Sequence, residues 1–192
     1  TDGSVTNVQF LVGSTVLAND STFPYAATTN GLQAGNYTLS AIASDNLGAK
    51  ATNAVSIIVD APPSVAITNP TSGSVFAAPA NVTIQATASD TDGSVTNVQF
   101  LVGSTVLAND PTFPYAATTN GLQAGNYTLS AVVSDNSGAK ATNSVSIIVD
   151  ALPSVSLTNP VAGATFRAPA NITLMAAAND TDGSVTNVQF FS

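Results

Sequence analysis

The chain has 192 residues and a net charge of −8, with only 7% of residues charged and no Cys, His or Trp. All the acids are Asp, and the basic residues are Lys50, Lys140 and Arg167, which leaves nothing from which to build a nucleic-acid-binding face. The missing Cys and His exclude disulfide staples, thiol chemistry and imidazole-based nucleophile activation. No apolar run is long enough for membrane insertion.

Residues 1–10, 91–100 and 181–190 all read TDGSVTNVQF, a period of 90 residues. Residues 1–60 and 91–150 differ only at Ser21/Pro111, Ile42/Val132, Ala43/Val133, Leu47/Ser137 and Ala54/Ser144. Residues 61–102 and 151–192 share one pattern more loosely. The stretches Asp60-Ala61-Pro62-Pro63 and Asp150-Ala151-Leu152-Pro153 open each unit. This phasing gives a partial repeat at 1–60, a complete repeat at 61–150 and a second partial repeat at 151–192. Neither partial repeat closes a two-layer core by itself. The expectation is therefore a segment of a longer array, with completion by neighbouring chains as the other arrangement.

Within the complete repeat, Val65 and Ile67 alternate in a first strand. A turn at Pro70, Ser72 and Gly73 leads to a short stretch at Val75-Phe76. Val82, Ile84, Ala86 and Ala88 line one face of the next strand, with Thr83, Gln85 and Thr87 opposite. The turn Asp90-Thr91-Asp92-Gly93 precedes Val98, Phe100 and Val102, and Gly103-Ser104 leads to Val106-Leu107. Tyr127, Leu129, Ala131 and Val133 form an inward row. After the turn Asp135-Asn136-Ser137-Gly138, Val145, Ile147 and Val149 close the unit. No helical period competes. About seven short strands in 90 residues predict an all-β fold of tandem immunoglobulin-like Greek-key β-sandwiches.

Tyr127 follows a Gly turn and stands two residues before the buried Leu129, the arrangement of a tyrosine corner, whose hydroxyl bonds to backbone a few residues upstream. Tyr37 and Leu39 repeat it. The succession Pro-x-Val, Asn-Pro, Asp-x-Asp-Gly-x-Val, Val-x-Phe, Pro-Tyr, Gly-x-Tyr-x-Leu and Ser-Asp-Asn-x-Gly resembles the bacterial Ig-like domains found in tandem on secreted and surface proteins. The resemblance covers residues 61–150 and the corresponding parts of both partial repeats. It implies a sandwich used in adhesins, stalks and surface fibres, or as a spacer in secreted enzymes, and no catalytic activity. The Trp that many relatives place after the Pro-Tyr strand is missing here.

Sandwich topology puts the turn at Asp90 and Asp92 beside the turn at Asp135 and Asn136, at the pole that receives the linker carrying Asp60. An oxygen-only ligand set drawn from several loops suits Ca²⁺, and the expected cofactor is Ca²⁺ at the junction between repeats. Asp150, Asp180 and Asp182 form the equivalent set at the next junction. The same segments are also ordinary turn sequences, in which Asp caps its own backbone and Gly takes positive φ.

A surface of Thr, Ser, Asn and Gln with little charge is expected outside the cell or on a bacterial cell surface. The expected partners are neighbouring repeats and other copies of the chain in a filament or bundle. Outward rows such as Thr83-Gln85-Thr87 lack the charges that usually protect sheet edges. Function is expected to be structural and non-catalytic: an extended extracellular fibre, stalk or adhesin shaft. The alternative is a spacer or accessory binding module of a secreted polysaccharide-degrading enzyme.

Overall fold

In the computed structural model, which describes residues 3–191, the chain is all-β with no helix. Residues from the first repeat form one four-stranded sheet: β1 (Val5–Val12), β2 (Thr15–Asp20), β3 (Gly35–Asp45) and β4 (Lys50–Val59), in the order β2-β1-β3-β4. The strands that follow are β5 (Ser64–Asn69), β6 (Val75–Ala77), β7 (Thr83–Ser89), β8 (Val95–Val102), β9 (Thr105–Asp110), β10 (Tyr115–Thr118), β11 (Gly125–Asp135) and β12 (Lys140–Asp150). They form two sheets, β10-β7-β5 and β6-β12-β11-β8-β9. Their facing surfaces enclose the core of a two-sheet immunoglobulin-like sandwich. A last hairpin pairs β13 (Ser154–Asn159) with β14 (Met175–Asn179).

The inward rows behave as the alternation demands. Val82, Ile84, Val98, Phe100, Leu129, Val133, Ile147 and Val149 are buried, while Thr83, Gln85 and Thr87 face solvent. Full burial of each large side chain stabilises the fold by about 1.5–3 kcal/mol. Tyr127 is only half-buried, because its ring lies over the edge of the core rather than within it.

The first two predicted segments join different sheets. β5 joins the sheet of β7, pairing antiparallel as Ile67↔Ala86, whereas β6 crosses to the other sheet and runs parallel to β12 as Phe76↔Val149. The buried Pro70 and the Thr71–Ser74 turn make the crossing, since a proline cannot continue a ladder that needs its N–H. β10 brings the complete repeat to eight strand segments where the sequence pattern suggests about seven.

The partial repeats show which strands depend on a partner. Residues 25–28 match β10 in sequence but are not a strand, and no counterpart of β7 lies within residues 3–60 to pair with them. Residues 165–167 occupy the positions of β6 without its β12 partner, and remain irregular. The inner face of the first sheet, with Phe10, Leu11, Leu39, Ala41 and Val55, borders an open apolar cavity of about 440 Å³. In the central sandwich the corresponding face is covered by β5, β7 and β10.

Candidate functional site

The pole between the β7–β8 and β11–β12 turns is built by polar side chains that bond to backbone. Asp135 ends β11, and its Oδ1 accepts from the N–H groups of Ser137, Gly138 and Ala139 at 2.8, 2.7 and 2.9 Å. That cap folds the turn, and Gly138 completes it at φ 94°, a conformation costly for a side-chain-bearing residue. Asn136 ties the two turns together: its N–H donates to the Ser94 carbonyl at 3.0 Å, and its Oδ1 accepts from the Ser94 N–H. Thr96 Oγ1 adds a bond to the Asp135 carbonyl at 3.0 Å.

One side of this pole is left unsatisfied. Asp135 is only 4% exposed, and its Oδ2 has no hydrogen-bond partner. Both carboxylate oxygens of Asp90 are also buried without a partner. Asp90 Oδ2 and Asn136 Oδ1 converge on the Cα of Gly93. A Cβ there would collide with Asn136 Oδ1 and stand 2.6 Å from Asp90 Oδ2. Gly93 is therefore kept free of a side chain by oxygen atoms, not by its φ.

The other repeats hold parts of the same arrangement. At Gly3 the corresponding point lies 2.7 Å from Asn46 Oδ1 and 3.7 Å from Asp45 Oδ2. At Gly183 it lies 2.7 Å from Asp180 Oδ2, and Asp180 Oδ1 is buried without a partner.

The remaining residues predicted for the site are placed differently. Asp92 is exposed and accepts the Ala61 N–H on Oδ2 at 3.1 Å, so it holds the linker that precedes the sandwich. Asp182 holds Ala151 in the same way, at 3.2 and 3.0 Å. Asp60 and Asp150 are half-buried beside these clasped amides, and the Asp150 carbonyl accepts from Ala78 N–H at 2.8 Å. Among the described residues no group of three or more Asp side chains is placed to hold a metal. The structure thus brings Asp90 and Asn136 together at Gly93, leaves Asp135 capping its own turn, and gives Asp92 and Asp182 to the linkers.

Sequence reading passed over a second carboxylate device. Asp110 accepts Thr112 N–H on Oδ1 at 3.1 Å and Ala116 N–H on Oδ2 at 3.0 Å, stapling the end of β9 to β10. Asp20 does the same with Thr22 and Ala26, both at 2.9 Å. The bond to the Ala116 amide, then that to Thr112, holds the Asp110 carboxyl below its ordinary value. For Asp20 the Thr22 amide leads, followed by Ala26. The signal was visible as Asp-x-Thr after a strand, a common Asx turn.

Bacterial Ig domain, the family described by the Big_7 model, matches residues 63–131 and 153–192, more than half of the chain. The chain belongs to this bacterial Ig domain family. Among solved structures, it is 32% identical to the fibronectin(III)-like modules of Clostridium thermocellum CbhA, over 79% of this chain and 81% of that one, with a TM-score of 0.47. It is 17% identical to the three N-terminal domains of the bacteriophage RB49 Highly Immunogenic Outer Capsid protein, over 93% of this chain and 59% of that one, with a TM-score of 0.44. No curated protein matches the chain.

Proposed function

We propose that the chain is a structural, non-catalytic part of an extended extracellular or cell-surface array: a fibre, stalk or adhesin shaft of Ig-like repeats. The observation that carries this reading is the repeated clasp at the entry to each unit. Asp92 holds Ala61, and Asp182 holds Ala151. Each clasp removes freedom from a linker already limited by proline, so successive junctions are built to one plan. The near-identity of residues 1–60 and 91–150, turns included, favours regular repetition over a ligand-binding head with loops of its own.

Copies of the chain are the proposed lateral partners. The rows Thr83-Gln85-Thr87 are exposed, uncharged and rich in β-forming residues, a surface suited to packing against another chain.

The test is the intact mass of the native polypeptide under denaturing conditions, with its non-repeat parts mapped by peptide sequencing. A mass dominated by repeat-sized steps supports a shaft. A large catalytic remainder with two or three repeats would replace it with the enzyme-spacer reading. Sedimentation velocity across a concentration series tests lateral packing, and a strictly monomeric array would refute it.

A further inference from the structure

We propose that the two Asn-Gly pairs of the chain, Asn30-Gly31 and Asn120-Gly121, are sites of spontaneous deamidation, and that Asn81 is a built-in brake on the second. Glycine has no Cβ to shield its amide, so a Gly nitrogen that follows Asn reaches the Asn side-chain carbonyl with little hindrance. The Gly nitrogen gives up its proton and bonds to the Asn Cγ. The Cγ–Nδ2 bond breaks, and the side-chain nitrogen leaves as ammonia. Water then opens the resulting succinimide at either of its carbonyls, leaving aspartate or β-linked isoaspartate. The only co-reactant is water, and each event adds one negative charge to its repeat.

The two pairs start with the same intrinsic chemistry. Residues 22–41 and 112–131 are identical in sequence, and Asn30 and Asn120 are both exposed. Gly31 and Gly121 share one backbone conformation, at φ 71° and 65°. Gln33 Nε2 donates to the Gly31 carbonyl at 3.2 Å, and Gln123 Nε2 to the Gly121 carbonyl at 2.9 Å. None of this separates one site from the other.

The fold separates them. Gly121 N–H donates to Asn81 Oδ1 at 2.7 Å, which holds the proton that must leave and keeps the nitrogen away from its own neighbour. Both flanking residues are pinned as well. Thr119 N–H donates to the Val82 carbonyl at 2.9 Å, and its Oγ1 accepts from Val82 N–H at 3.0 Å. Leu122 exchanges a pair of 2.8 Å bonds with Ala80. Residues 3–60 contain no counterpart of Ala80, Asn81 or Val82, and the Gly31 N–H meets no such acceptor among the described residues. Asn120 therefore reacts only from a locally opened loop, whereas Asn30 reacts from the folded chain. The inference stands apart from the fibre reading, because it concerns the chemistry of one loop.

The test is incubation of the native 192-residue chain in mildly alkaline buffer, with samples taken over time and digested with trypsin. Cleavage at Lys50 and Lys140 puts Asn30 and Asn120 in separate peptides, 1–50 and 51–140, and fragment ions locate the converted residue. Asn30 is expected to convert faster than Asn120 in the folded chain. In urea the two rates converge, because only the fold distinguishes the sites. Asn81→Ala speeds Asn120 about five-fold, the factor that accompanies loss of one ordinary hydrogen bond, and leaves Asn30 unchanged. Asn81→Asp retains an acceptor oxygen and keeps Asn120 slow, which separates the hydrogen bond from the loss of side-chain volume.

No conversion at Asn30 in the folded chain would overturn the sites. Equal native rates at Asn30 and Asn120 would overturn the brake, and that measurement needs no variant to fold. An unchanged Asn120 rate in Asn81→Ala would do the same, as would equal acceleration of both sites, the mark of a general loosening.

Discussion

The Tyr127 hydroxyl donates a 3.0 Å hydrogen bond to the Gln123 carbonyl, and Tyr37 makes the same bond to Gln33 at 2.9 Å. Each bond ties the start of a long strand to the loop before it. Tyr127→Phe leaves the ring in place and removes only the hydroxyl. It should cost about 1 kcal/mol, the net worth of one such bond. For a unit of this size that lowers Tm by about 4–8 °C, with little change in the urea m-value. An unchanged melt would show that water replaces the phenol without loss.

Phe100 and Phe10 sit in identical sequence surroundings but different environments. Phe100 is 0% exposed, whereas Phe10 is half-buried on the open face of the first sheet. Phe100→Ala should cost about 3–5 kcal/mol, comparable with much of the stability of a small domain. Phe10→Ala should cost less than half as much, because solvent already reaches its site. Urea titrations of both variants check this, and equal losses would mean that both faces are covered in solution.

Acid should weaken the fold through Asp110 and Asp20, whose carboxyls the backbone N–H groups hold below their ordinary value. A carboxylate depressed in the folded state stabilises it above the unfolded pKa, and that stability disappears as pH falls through the folded one. The loss therefore begins below about pH 4, the unfolded Asp value. Asp110→Asn retains at most one of the two accepted bonds. It should be less stable at neutral pH and show a flatter acid limb in melts from pH 7 to pH 2.

Asp92→Ala should loosen a junction without unfolding the units. The bond to Ala61 is exposed, so its removal should cost the sandwich less than about 1 kcal/mol. Freed from the clasp, Ala61 N–H should lose protection from hydrogen exchange, and the repeats on either side should reorient more independently in NMR relaxation. An unchanged Ala61 exchange rate would show that the prolines alone order the linker.

Much of the sandwich was legible because burial imposes period-two alternation, and the Ile84, Phe100, Leu129 and Val149 rows are buried at their centres and half-buried toward their ends. The tyrosine corner was legible for the same local reason, a Gly turn followed by Tyr. What the pattern could not show was which sheet a short strand joins. Val75-Phe76 reads the same whether it pairs with β7 or with β12, and the choice depends on long-range contacts. The pole was half legible. Topology brought the turn of Asp90 to the turn of Asn136, but nothing local distinguishes Asp90, whose oxygens are unused, from Asp92, whose carboxylate holds a distant amide.

The parallel pairing of β6 with β12 has a consequence for a chain pulled from its ends. Gly73 N–H to the Ser146 carbonyl at 2.7 Å, Ile148 N–H to the Ser74 carbonyl at 2.9 Å and Ala78 N–H to the Asp150 carbonyl at 2.8 Å lie along one short seam. That seam joins the second strand of the unit to its leaving strand. Because the two strands run in the same direction, tension at opposite ends slides them lengthwise. All of these bonds then bear the load together and must fail at once, whereas an antiparallel pair peeled from one end would lose them singly. β6 and the residues that flank it thus act as a shear lock on the whole repeat.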